Sequence, residues 1–226
     1  AGMKFLLDFH YSDYWADPQQ QNKPEAWQNL PFSIMADSLQ AFTAHVITAL
    51  QQQGTPPDMV QIGNEINHGM VWPEGHIGNP GNLAMLISKG IQGVKQVDAG
   101  IPVMLHLALG GQVEECSSWL NAMTERGVDF DVLGLSYYPK WHGSFEDLKY
   151  NIAYLISHYN KPVCLAEYTM LKRDINDLIF NLPDNKGIGT CIWEPLNTWE
   201  AIFEKDGKSN ALINVYDEIA GKFLKK

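Results

Sequence analysis

The chain has 226 residues, 45% of them hydrophobic, and a formal net charge of −10 at neutral pH. That length supports one sizeable core and gives no sign of a second, so a single domain over residues 1–226 is expected. The acidic balance repels phosphate backbones and anionic lipid, which excludes nucleic acid and membrane surfaces as partners. No apolar stretch is long enough to span a bilayer, and the start carries no signal-peptide pattern.

In chain order, short apolar runs predict strands at residues 4–9, 59–63, 102–107, 132–136, 162–166 and 188–193. Helical spacing fills the intervals at 33–53, 81–97, 114–126 and 144–159, with a shorter helix at 173–182 and a closing one at 210–224. Gly54 and Gly127 read as helix stops. Ser144 reads as a cap with Asp147 three residues on. Strict alternation of strand and helix predicts a parallel α/β sheet with right-handed crossovers.

Strand ends are where a parallel α/β barrel exposes functional side chains, and here they are crowded with polar and aromatic residues. The first is followed by H-Y-S-D-Y-W-A-D-P, with His10, Asp13, Trp15 and Asp17 as candidate substrate contacts; the two aspartates serve equally to orient the loop or bind a cation. Asp8, inside that strand, reads as a buried hydrogen-bonding group. The second ends in Asn64-Glu65, a sugar-binding amide beside a carboxyl group, and the third in His106. The fourth ends in S-Y-Y-P-K-W-H, where Tyr137 or Tyr138 can donate to a carboxylate and Trp141 can stack on a sugar. The fifth is followed by Glu167, and the sixth by Trp193, a candidate platform, with Glu194 as a rival carboxylate.

Two glutamates, Glu65 and Glu167, each stand just after a buried strand with no basic neighbour to form a surface pair. Glycoside hydrolysis needs two such carboxylates, one protonated to assist departure and one ionised to attack or to activate water. Seven Trp, nine Tyr and nine Phe exceed the needs of a small core. Several stand in expected loops, at Trp15, Trp27, Trp72, Trp141 and Trp199, as suits sugar stacking. The three cysteines, Cys116, Cys164 and Cys191, form no complete disulfide framework, and Cys164 and Cys191 are read as buried thiols. No metal-binding spacing or cofactor fingerprint occurs, so neither a metal nor a cofactor is expected.

The ordered motifs D-F-H-Y-S-D-x-W-A-D-P, I-G-N-E-I-N, G-M-V-W-P, V-M-L-H-L-A, S-Y-Y-P-x-W-H, A-E-Y-T and W-E-P span nearly the whole chain. Together they resemble glycoside hydrolase family 53, the arabinogalactan endo-β-1,4-galactanases. The resemblance implies a TIM-barrel-like parallel (β/α) barrel that cleaves β-1,4-galactan in pectic arabinogalactan side chains with retention of configuration. It makes Glu65 the acid/base and Glu167 the nucleophile, with their carboxyl groups roughly 5 to 5.5 Å apart. Glu65 must then start protonated and Glu167 stay ionised. A polymeric substrate implies an extracellular or periplasmic location.

The sequence departs from that family in beginning at what resembles its third strand. The expectation is therefore a barrel of about six strands, either (β/α)6 or an incomplete (β/α)8, without the arginine that the family carries on its second strand. The short segment from Tyr168 to Gly187 makes the calcium of some members doubtful. Exposed barrel edges would allow a homo-oligomer. The alternative function is a catalytically impaired galactan-binding relative, and a third is another glycan specificity, mannan or cellulose.

Overall fold

The computed structural model describes residues 2–196 and 199–223. Six strands, β1 (Leu6–Phe9), β2 (Met59–Ile62), β3 (Val103–Leu107), β4 (Val132–Tyr137), β5 (Val163–Tyr168) and β6 (Gly187–Ile192), are ordered as in the chain. Among the described residues seven α-helices accompany them: α1 (Phe32–Gln52), α2 (Pro80–Val97), α3 (Val113–Thr124), α4 (Pro139–His142), α5 (Phe145–Tyr159), α6 (Lys172–Phe180) and α7 (Asn214–Phe223). Contacts divide the chain into two compact units, residues 1–108 with 114–133, and residues 109–113 with 134–226.

In the first unit, β1 and β2 pair in parallel from Leu6 opposite Met59 to Phe9 opposite Ile62, and β2 pairs with β3 through Val60 opposite Val103. Every residue of β3 is buried, which is the signature of a parallel strand covered on both faces. Helix α1 turns Met35, Leu39, Thr43 and Ile47 inward and α2 turns Leu83, Leu86, Ile87 and Val94 inward, so each presents one apolar stripe. The two helices touch at Gly93, where a Cβ would stand 2.6 Å from the Gln40 carbonyl oxygen, so only glycine permits that approach. Asp131 accepts from the Val103 amide at 2.8 Å and from Lys95 at 3.0 Å, anchoring the entry to β3.

The chain passes into the second unit within β4. There α5 starts with a full capping box: Ser144 Oγ accepts from the Asp147 amide, and Asp147 accepts from the Ser144 amide at 2.7 Å. β5 and β6 run parallel with irregular register on both sides of Cys164 and Leu165. A hydrogen-bonded chain joins these strands to the helices: Thr190 donates to Asn176, Asn176 donates to Tyr168, and the Tyr168 and Tyr216 hydroxyls lie 3.0 Å apart. Residue 224, the expected end of the closing helix, lies outside the described residues.

Several sequence expectations change in detail. β5 runs two residues further than its apolar run, so Glu167 lies within the strand rather than after it. The short α4 was not expected, because four residues carry no periodic signal; it takes Trp141 out of a loop. Trp27 likewise closes a 3-10 turn at Glu25–Trp27. Asp8 is exposed and pairs with His10 at 3.1 Å rather than being buried. Cys191 is exposed rather than buried, since β6 is nowhere fully covered, whereas Cys164 is buried as expected and Cys116 is buried too.

Candidate functional site

In the first unit the functional candidates gather around Asn64 and Glu65. The chain leaves β2 through Gly63, at φ 80°, and Glu65 itself has left-handed backbone at φ 49° and ψ 52°. A non-glycine residue held there is strained by about 1 kcal/mol, a conformation found disproportionately at functional sites. Glu65 is 9% exposed. The turn is held from several sides: Asn64 Nδ2 donates to the Ala16 carbonyl at 2.9 Å, and Gln21 Nε2 donates to the Asn64 carbonyl at 2.8 Å.

That anchoring turns Asn64 Oδ1 toward the interior, where it accepts from Gln61 Nε2 at 3.3 Å and lies 3.0 Å from His106 Nδ1. His106 Nδ1 also lies 3.2 Å from Gln61 Nε2, so Gln61, Asn64 and His106 form one buried polar cluster. Sequence reasoning selected Asn64 and His106 but missed Gln21 and Gln61. Both are buried polar residues, at 1% and 3% exposure. Gln61 falls inside an apolar run, which was the one available sign.

The loop after β1 is organised by its own polar groups. His10 Nδ1 accepts from the Ala16 amide at 3.1 Å, its ring meets Trp15 edge-on at 5.3 Å, and its Nε2 faces Asp8. Asp13 accepts from the Glu25 amide at 2.7 Å. Asp17 accepts from the Gln19 and Gln20 amides, at 2.7 and 3.2 Å. Of the three roles left open for these aspartates, loop orientation is therefore one that both perform. Trp15 is half exposed.

In the second unit Glu167 accepts a hydrogen bond from Tyr138 Oη at 2.9 Å. The neighbouring Tyr137 points the other way, 1% exposed, with its hydroxyl donating to the Gly143 carbonyl at 3.2 Å. Strand alternation separates the two tyrosines, so only one can serve the carboxylate. Around Tyr138 stand Trp141, at 5.7 Å, and Trp199, at 6.1 Å, and these two indoles meet at 5.3 Å. Both tryptophans are about half exposed, which leaves aromatic faces for a ligand. Trp193 is half-buried, its amide donating to the Tyr168 carbonyl at 2.8 Å, and Glu194 is exposed.

His142, which the sequence did not single out, positions Tyr138. Its Nδ1 accepts from the Tyr138 amide at 3.1 Å, and its other nitrogen donates to the Ser136 carbonyl, so the ring must be neutral to make both bonds. Burial drives its pKa down to about 4, with the Ser136 bond opposing. The folded value lies below the unfolded one, so protons bind preferentially to the unfolded chain and stability falls as pH drops from about 6.5 toward 4. The expected loss is about 3 kcal/mol. His142→Gln keeps an acceptor and a donor without titrating. Urea unfolding at several pH values should show a flatter acid limb for this variant, and equal slopes would exclude His142 as the cause.

The model of glycosyl hydrolase family 53 matches residues 1–177. An arabinogalactan endo-beta-1,4-galactanase from Cellvibrio japonicus is 40% identical over 178 residues, covering 74% of this chain and 46% of that protein. An endo-beta-1,4-galactanase from Bacillus subtilis is 34% identical over 179 residues, covering 76% and 40%. The chain thus spans about half the length of the curated relatives it matches. Among solved structures, a GH53 catalytic domain from Ignisphaera aggregans superposes with a TM-score of 0.90 at 27% identity, covering 96% of this chain and 74% of that one. Its strand and helix order is that of a TIM-barrel-like parallel (β/α) fold, here with six strands.

Proposed function

Because the chain belongs to glycosyl hydrolase family 53, we propose that it is a retaining endo-β-1,4-galactanase acting on pectic arabinogalactan side chains, with Glu65 as acid/base and Glu167 as nucleophile. The observation that carries the division of roles is the 2.9 Å hydrogen bond from Tyr138 to Glu167. A donor aimed at a carboxylate favours its ionised form, which a nucleophile needs. Glu65, by contrast, is buried at the end of an apolar strand, and desolvation favours the protonated form that an acid needs.

In the first step Glu65 gives its proton to the glycosidic oxygen while a Glu167 oxygen attacks the anomeric carbon, forming a glycosyl ester and freeing the leaving chain. In the second, Glu65 takes a proton from water, the water oxygen bonds to the anomeric carbon, and the Glu167 ester bond breaks. His10, Asp13, Trp15, Asp17, Asn64, His106, Tyr137, Tyr138, Trp141 and Trp193 are the proposed substrate-side residues, and six of them divide into two kinds. Tyr138, Trp141 and Trp15 offer contacts to sugar. Asn64, His106 and Tyr137 act on what surrounds it, their polar atoms being committed to neighbours.

We take the two units to belong to one catalytic-type domain, residues 1–226. The substrate, being a polymer, is met outside the cell. Purified protein should release reducing sugar from β-1,4-galactan and not from mannan or cellulose. Binding of galactan without release would instead support the impaired, binding-only relative. Tyr138→Phe removes one hydrogen bond to a charged group, worth about 1.5–3 kcal/mol. It should lower kcat/KM on galactan roughly 10- to 100-fold with the circular dichroism spectrum unchanged. An unchanged kcat/KM would remove Tyr138 from the mechanism.

A further inference from the structure

We propose that Cys164 and Cys191 form a cross-strand dithiol that small-molecule disulfides oxidise to an intramolecular disulfide. The two cysteines lie on neighbouring parallel strands, and the register pairs Cys164 with Gly189, two residues before Cys191. Paired residues point the same way and side chains alternate along a strand, so both thiols emerge on one face of the β5–β6 pair. Thr190, between Gly189 and Cys191, faces the opposite side, toward Asn176 of α6. The thiols stand diagonal to each other on that face, close enough to perturb one another's titration.

Three further features suit the pair to oxidation. Cys191 is exposed, whereas Cys164 is 3% exposed, so an attacking thiol stands beside a sheltered one. Gly189 carries no side chain, and nothing lies within 4 Å of where its Cβ would stand, which leaves room at that face for a reagent. The register is irregular immediately before Cys164 and again between Leu165 and Tyr168. A disulfide would close the sulfurs to the bond length of about 2.05 Å at this irregular stretch of the ladder.

Their mutual interaction holds the Cys191 thiol down at about 7 and pushes Cys164 up, which makes Cys191 the thiolate near neutral pH. In the reaction, the Cys191 thiolate attacks one sulfur of the oxidant and expels the other as a thiolate. Cys164 then gives up its proton and attacks Cys191, expelling the second thiolate. Two protein thiols are oxidised and one disulfide oxidant is reduced to two thiols. Cys164 lies within residues 1–177 that the family model matches, and Cys191 lies beyond them.

The test incubates the native protein with oxidised glutathione, then blocks remaining thiols with iodoacetamide after unfolding and maps peptides by mass spectrometry. The expected result is a Cys164–Cys191 linked peptide with Cys116 alkylated. Cys164→Ala should stop at the intermediate and hold one glutathionyl group on Cys191, and Cys191→Ala should acquire none. Three alkylated cysteines in the parent chain, a bridge involving Cys116, or glutathione that stays on Cys191 when Cys164 is present would each overturn the proposal. The parent chain's peptide map decides the matter even where a variant fails to fold.

Discussion

On the proposed assignment, Glu167→Gln is expected to reduce galactan hydrolysis by roughly four orders of magnitude or more, and Glu65→Gln on the order of 10²- to 10⁴-fold, the range for loss of a general acid/base. The two differ in what restores them. Glu65→Ala, acting on a galactoside whose leaving group needs no proton, still forms the glycosyl ester, and azide then captures it to give a β-galactosyl azide. Glu167→Ala forms no ester, so azide attacks directly and gives the α-anomer. Chirality at the anomeric carbon therefore reports which carboxylate was removed. Equal activity of both glutamine variants with the parent would remove these residues from the mechanism. The α-product from Glu65→Ala would exchange the roles.

Lys172→Met is expected to lower the unfolding free energy by about 2 to 4 kcal/mol. The ammonium is 3% exposed as a residue and donates to the Thr169 carbonyl at 2.5 Å and the Glu200 carbonyl at 2.6 Å, with the Glu200 carboxylate at 3.3 Å. Methionine fills the same volume and leaves both carbonyls without that donor. The Glu200 side chain is 38% exposed, so water replaces part of the lost ion pair, and the estimate stays below that for a fully buried one. Urea unfolding at neutral pH measures the change, and a loss under about 1 kcal/mol would mean that the carbonyls find other donors. Thr169 follows β5 directly, so the tether also holds the exit of the strand that carries Glu167.

Most of the architecture was legible along the chain because its causes are local. The apolar runs at residues 59–63 and 102–107 correspond to β2 and β3 nearly to the residue, since a strand covered on both faces is mostly apolar, here with only Gln61 and His106 as exceptions. The Ser144 cap is a three-residue signal and occurs as expected. β5 was misread at its end for the converse reason. Glu167 and Tyr168 break the apolar pattern, yet backbone pairing with β6 carries the strand through them. α4 escaped because one helical turn has no period.

The polar residues divide along the same line. Which carboxylates, tyrosines and tryptophans to consider came from residue types clustered at strand ends. Their commitments came only from contacts made across the fold. Asn64 reads as a sugar-binding amide and is held by Ala16, Gln61 and His106, 48, 3 and 42 residues away. His142 reads as the last letter of a motif and is a neutral prop for Tyr138. Cys191 reads as a buried thiol and is exposed beside Cys164, 27 residues earlier.

The sequence by itself determined the alternation of strand and helix and the family, and it singled out the two glutamates that we propose, because hydrophobic periodicity and motif spacing are written along the chain. Only the tertiary structure decided which tyrosine serves Glu167, which histidine must stay neutral and which thiols meet. Those outcomes depend on the direction each side chain takes from its strand and on partners far away in sequence. Neither residue type nor local spacing encodes them.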